Sequence, residues 1–270
     1  MKSSLFTRAA AYLQIVSMGA QITFVYRSNS IFQLASVLFQ IYLLKVIWTA
    51  IYMQQGINNQ VHLQTLISYL TLANLQTWVF TPTITEYLQQ RIRTGAIALD
   101  LAKPISFPGQ LVARQLGTTL SLLPFVLIAL PLAFFAGGLQ LPASGAAIIY
   151  YIVSCVLSYL VVALMGLLMG LLALWTFEVT GIQFIYRFVN QLFAGALIPL
   201  WLFPPILHTV AAFLPFQAVA FLPVSIYLGQ LQGAGITAAL AIQLAWVVVL
   251  YLFAQLVWYR AQRHIVIQGG

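Results

Sequence analysis

Glu86, Arg91, Arg93, Asp100 and Lys103 stand together in the stretch EYLQQRIRTGAIALDLAKPISFP, from Glu86 to Pro108. The whole chain carries three acidic side chains, two of them here, while 62% of its residues are hydrophobic and 5% are charged. No other reactive group converges on this stretch. Cys155 is the single cysteine, set in an apolar run, so an intramolecular disulfide and a cysteine metal cluster are both excluded. His62, His208 and His264 are far apart and show no ligand spacing. There is no G-x-x-x-x-G-K-[ST] phosphate loop and no H-E-x-x-H. What remains is recognition. A polar segment with a short helical pattern (Ile92, Ala96, Ile97, Leu101), placed between two apolar spans, reads as a docking handle for a soluble partner.

The elements around this handle belong to a membrane. Mean hydropathy is +0.98, which excludes the soluble globular class. The net charge of +8 invites nucleic acid as a partner, but the basic residues sit at the ends of apolar spans, where they anchor helices to membrane lipids. Nucleic-acid binding is excluded on that pattern. The N-terminal MKSSLFTR is followed by an apolar run broken by Gln14, Ser17 and Gln21, a poor signal-peptide core, and is expected to stay on the mature protein. Residues 4–26 mix apolar side chains with Arg8 and glutamines and predict an amphipathic helix lying in the membrane interface.

Six spans are predicted, over about 30–52, 63–85, 111–136, 146–175, 182–201 and 236–259. The third carries Pro124 and Pro131, both able to kink it. The fourth carries Gly166 and Gly170 in GLLMG, a small-xxx-small spacing that serves packing within one chain as well as a dimer contact. With six crossings, Lys2, Arg8, Arg27, Arg91, Arg93, Lys103, Arg114, Arg187, Arg260 and Arg263 fall on one side, and the three opposite loops hold neither Lys nor Arg. The positive-inside rule then puts both termini and the 86–108 loop in the cytoplasm. Residues 198–230 hold Pro199, Pro204, Pro205, Pro215 and Pro223 among runs too short to span, which predicts a re-entrant pair forming a lid on the outer side. Lys45 is the only charge within a span away from its cytoplasmic end, suited to anchoring or to a substrate path; Glu178 and Arg187 flank the start of the fifth span and are expected to pair.

This order of elements resembles the permease subunit of ABC-2 type exporters. Two stretches sharpen the likeness: RIRTGAIALDLAKPIS, from Arg91 to Ser106, and GALIPLWLFPPILHTVAAFLPFQAVAFLPVSIYLG, from Gly195 to Gly229. The resemblance implies an all-α integral membrane fold of six transmembrane helices, with an N-terminal interfacial elbow helix, a cytoplasmic coupling loop and a re-entrant helix pair before the last span. It implies a single permease domain in the bacterial inner membrane that pairs with a second permease, identical or related. Each would dock a cytoplasmic ATPase, the ATPase dimer binding ATP and Mg while this chain holds no cofactor. Carried onto this sequence, the coupling positions are Arg91, Arg93, Gly95, Asp100, Lys103 and Pro104, flanked by Glu86 and Arg8. The path would run between spans one, two and five, with Lys45, Asn74, Trp78, Asn190, Gln191 and Phe193 as its candidates.

Two other functions compete. A stand-alone carrier or channel would work without an ATPase and depend on an ionisable group within the spans. An intramembrane enzyme would need a converging nucleophile and base, which the sequence lacks.

Overall fold

A computed structural model describes residues 2–25, 27–55, 63–135, 138–176 and 179–262, and every regular element among them is helical. Four helices are long and apolar enough to cross a bilayer: Arg27–Gln54, Phe107–Phe134, Gly145–Thr176 and Ala234–Ala261. They belong to α2 (Arg27–Gln55), α6 (Phe107–Phe135), α7 (Gly145–Thr176) and α11 (Ala234–Ala261). A fifth span results if the bent pair Pro205–Ala212 and Pro215–Tyr227 is counted as one.

The expected second and fifth spans are shorter than their apolar runs. The second is α3 (Leu63–Val79), which stops at a turn around Pro82, six residues before the predicted end; α4 (Ile84–Arg93) then sets off separately. Proline removes a backbone donor and crowds the preceding turn, so the helix breaks. The fifth is α8 (Thr180–Phe193), 14 residues long, ended by a turn that leads into Pro199. At 1.5 Å per residue these helices measure about 25 and 21 Å, against roughly 30 Å of hydrocarbon. Despite its length, α3 is the hub of the bundle, with nearly every residue from Leu66 to Val79 buried. A helix enclosed on all sides needs no polar face.

The N-terminal helix is α1 (Lys2–Val25). It lies along the first part of α6, and the pairing advances in the same direction on both helices: Tyr12 meets Ser106 and Gly109, while Gly19 meets Arg114 and Gly117. The Tyr12 hydroxyl is 3.0 Å from Ser106 Oγ and accepts the Ser106 amide at 3.2 Å. On the open side of α1, Leu13, Met18 and Ile22 interleave with Gln14, Ser17 and Gln21, so polar and apolar residues do not segregate into two faces.

The proline-rich 198–230 region divides in two. Its first half, α9 (Pro205–Ala212), shows Ile206 and the following Phe213 to the surroundings, whereas α10 (Phe221–Tyr227) packs on α7 and α3 and buries Val224 in the main core and Ile226 against Ala239 of α11. The two halves meet at 73°. Such a break leaves carbonyls without helical partners, and in a low-dielectric interior side chains must satisfy them. Gln243 of α11, 0% exposed, donates to Ala218 O at 2.9 Å, and Ser158 of α7 donates to the same carbonyl at 2.7 Å. Gln76 of α3 donates to Val219 O at 2.7 Å, and Asn74 donates to Ala196 O at 2.8 Å in the turn after α8. Many polar residues inside the helices thus complete backbone that is not helical.

Candidate functional site

The charged stretch is folded around Asp100. Helix α4 carries Glu86 in its first turn and Arg91 and Arg93 in its last, the polarity that a helix dipole favours. Its apolar stripe of Ile84, Leu88 and Ile92 is buried, and it settles on α7 at the GLLMG glycines. A Cβ on Gly166 would come within 2.6 Å of Pro82 Cβ, and one on Gly170 within 3.1 Å of Ile84 Cγ2. The small-xxx-small face is therefore filled by the chain's own Pro82 and the start of α4. That helix ends at Gly95, whose φ of +69° is the left-handed region in which glycine meets no Cβ penalty.

A short helix, α5 (Ile97–Leu101), follows and presents Asp100 inward, 3% exposed. Arg91 Nε donates to its carboxylate at 2.6 Å, Lys103 Nζ at 2.8 Å and the Tyr87 hydroxyl at 3.2 Å. Arg91 also donates to Ala96 O at 3.0 Å, and Gln110 Nε2 donates to the Asp100 carbonyl at 2.9 Å. The Arg114 guanidinium lies 4.0 Å from the Tyr87 ring centroid, placing a third cation close by. Burial alone would push the Asp100 carboxyl up; the bonds from Arg91 and Lys103 outweigh it and hold the group below the ordinary carboxylate range. The bond to Asp100 in turn raises Arg91.

This cage decides what the loop displays. Asp100 faces in, while Arg93, Lys103 and Pro104 face out. So does Leu99, 68% exposed, which sequence reasoning missed because it falls off the Ile92, Ala96, Ile97, Leu101 stripe. The Arg8 side chain, Glu178, His62 and His264 lie outside the described residues. The expected Glu178–Arg187 pair falls on Glu178, outside the described residues; Arg187 of α8 donates to Glu86 of α4.

Above the Glu86–Arg187 pair a cavity of about 430 Å³ opens between α2, α3, α4, α6 and α8. It gathers four of the six predicted path residues, Asn74, Trp78, Asn190 and Gln191, and adds Gln33, Gln40, Gln115, Thr118, Thr119 and Tyr186. Lys45, half-buried on α2, and Phe193, packed edge-on against Phe203, are not on its wall. The added residues had a signal. Gln33, Val37 and Gln40, and likewise Gln115, Thr118, Thr119 and Leu122, follow helical spacing, so each set shares one face. On α8 the polar stripe Gln183, Arg187, Asn190 and Gln191 opposes Phe184, Ile185 and Phe188, which are exposed. An amphipathic helix with its apolar side outward suits lipid on one side and a polar cavity on the other.

Gln115 joins this wall to the α3–α4 break. Its Oε1 accepts the Thr83 amide at 2.7 Å and the Thr83 hydroxyl at 3.0 Å, and its Nε2 donates to Thr81 O at 3.1 Å. The backbone groups freed around Pro82 are thereby satisfied from α6. No group of three His, Cys, Asp or Glu side chains able to hold a metal occurs among the described residues.

A family model described as ABC-2 family transporter protein matches residues 12–269. The chain belongs to the ABC-2 transporter family. ABC-2 membership makes it a multi-pass membrane protein and the permease component of an ABC transporter, a transport part whose family generally works with an ATPase partner. No curated protein matches it. In an ABC-2 permease the two features above acquire distinct places: a caged, outward-facing loop at one end of the bundle, and a polar cavity between its helices.

Proposed function

We propose that this permease is the membrane subunit of an ATP-driven exporter, in which 86–108 is the coupling loop for a cytoplasmic ATPase dimer and the polar cavity belongs to the translocation path shared with a second permease, identical or related. The chain crosses the bacterial inner membrane six times in this reading, with α3 and α8 as the short second and fifth spans and both termini cytoplasmic. The observation that carries it is the Asp100 cage, which turns the charged loop into a rigid surface presenting Leu99, Lys103 and Pro104. ATP and Mg belong to the partner; the permease supplies no cofactor site.

The route from dock to path is short. Asp100 fixes Arg91, Arg91 lies on α4, and α4 touches α7 at Gly170 and α8 through Glu86–Arg187. A push on the loop therefore moves the base of the cavity without crossing flexible chain. The stand-alone carrier reading gains nothing here, since Lys45, its main candidate, is off the cavity wall.

The test is purification of the tagged chain from its native membrane in mild detergent, with mass spectrometry and an ATPase assay of the eluate. A stoichiometric ATPase, lost in the Leu99→Asp variant, is the expected result, and a second permease in the eluate distinguishes heterodimer from homodimer. A chain that emerges alone from detergents preserving other complexes refutes the coupling.

A further inference from the structure

A second cavity, of about 510 Å³, lies between α6, α7 and α11. Val248 and Tyr251 on its rim are exposed on a helix that crosses the bilayer, so it opens toward lipid. Gly109, Ala163 and Ala254, one on each helix, leave the space. The stretch of α11 along it, from Val247 to Trp258, rises about 16 Å, close to half of the roughly 30 Å of hydrocarbon. Volume over length gives a mean cross-section of roughly 30 Å², room for one hydrocarbon chain and well short of the roughly 80 Å² of a helix 10 Å across. The groove is also graded in polarity. Ser106, Gln255 and Trp258 stand at the end beside the 86–108 loop, where Trp258 stacks on Phe107 with ring centroids 5.1 Å apart. Val112, Leu160 and Val247 line the deep end, and one turn further Gln243 pins α11 to Ser154 and Ser158 of α7 at 2.8 and 3.0 Å. Among the described residues, no charged side chain lines the groove. Helix α11 is 28 residues long, about 42 Å, so a centred hydrocarbon layer of roughly 30 Å ends near its residue 257. Gln255 stands at that level, exposed, and makes no hydrogen bond among the described residues. A carboxamide away from water gains from any acceptor brought to it.

We propose that this groove holds one acyl chain of a membrane glycerolipid from the leaflet on the side of the 86–108 loop, with the Gln255 carboxamide donating to the ester carbonyl at the head of that chain. The groove is as deep as one leaflet and as wide as one chain, apolar along its length and polar only where the ester lies. A helix from a partner protein is too wide for it, and water would find no polar partners at its deep end. With no charge on the wall, the groove distinguishes the linkage of the chain and not the headgroup. An ether-linked chain fits the same space but brings no carbonyl for Gln255. This site is separate from the polar cavity and goes beyond the permease reading, since it requires only that the chain sit in a bilayer.

The experiment reconstitutes the full chain in vesicles of a diether phosphatidylcholine, with a trace of phosphatidylcholine carrying a photoreactive diazirine in its tail and either ester or ether linkages. Crosslinked residues are mapped by mass spectrometry, and yields at Val112, Leu160 and Val247 are divided by the yield at Leu252, which is 61% exposed on the open side of α11. Both probes are expected to label the groove, the ester probe about three- to tenfold more strongly, as for one hydrogen bond. Gln255→Leu abolishes that preference and leaves the thermal midpoint unchanged or raised, because the side chain removed has no partner within the protein. Val248→Trp, at an exposed rim position, fills the groove and lowers labelling by both probes while Leu252 is labelled as before. Absence of groove labelling by either probe, equal labelling by ester and ether, or an ester preference that survives Gln255→Leu overturns the proposal. No ATP or ATPase is present, so the outcome is independent of the co-purification.

Discussion

Replacing Asp100 by alanine removes the acceptor of three donors at once. The Arg91 bond, short, charge-assisted and largely buried on the carboxylate side, contributes roughly 1.5–3 kcal/mol. The Lys103 side chain is 46% exposed, and a solvent-screened ion pair of that kind adds about 0–1 kcal/mol. The longer Tyr87 bond adds at most about 1 kcal/mol. The loop should lose roughly 2–4 kcal/mol of local stability, which raises its open population by a factor of about 30 to 1,000. Hydrogen exchange over residues 94–106 of the reconstituted permease measures this directly: Asp100→Ala collapses protection there and leaves α7 and α11 unchanged. Leu99→Ala does the reverse, preserving protection while weakening the dock by roughly tenfold, as for one well-placed apolar contact. The pH dependence has a definite sign. A carboxyl held below its ordinary value stabilises the loop above about pH 4, and that contribution is lost as pH falls through the lower, folded value. After correction for intrinsic exchange, protection is flat from pH 8 to about 5. Equal protection in wild type and Asp100→Ala, or loss of protection on going from pH 8 to 6, refutes the cage.

Two further substitutions test the frame that carries the loop. Gly166→Val forces a side chain into Pro82 and should destabilise the permease by roughly 1–3 kcal/mol, read as a lower thermal midpoint in the same lipid; an unchanged midpoint would mean that α4 does not rest on α7. Gln115→Leu strips three bonds of 2.7–3.1 Å from the α3–α4 break and leaves buried backbone groups unpaired. A loss of about 2–4 kcal/mol is expected, with exchange rising first at residues 80–85, whereas Gln33→Leu, on the other side of the cavity, leaves that segment alone.

Much was legible along the chain because bilayers impose a one-dimensional rule: about twenty apolar residues per crossing, cations at the ends. That rule found α2, α6, α7 and α11, the proline-broken 198–230 segment and the charged stretch, and the family match over 12–269 agrees with the resemblance drawn from those stretches. It overran α3 and α8, since hydropathy continues through Val79-Phe80 and past Phe193 while the backbone has already turned. It says nothing of where α1 packs: composition cannot tell that Gly19 and Gly117 let two backbones close on each other.

The sequence by itself determined the class of protein, the places where helices must break and the position of the one segment too charged for lipid, because hydrophobicity, proline and charge act locally. Only the tertiary structure decided partners. It turned Asp100 inward and Leu99 outward, gave Arg187 to Glu86, gave Gly166 to Pro82, and assigned Asn74, Gln76 and Gln243 to carbonyls far along the chain. A carboxamide in a membrane helix needs some polar neighbour, and sequence states the need. Which carbonyl, hydroxyl or cavity meets it depends on how the helices are laid side by side, and no local signal encodes that.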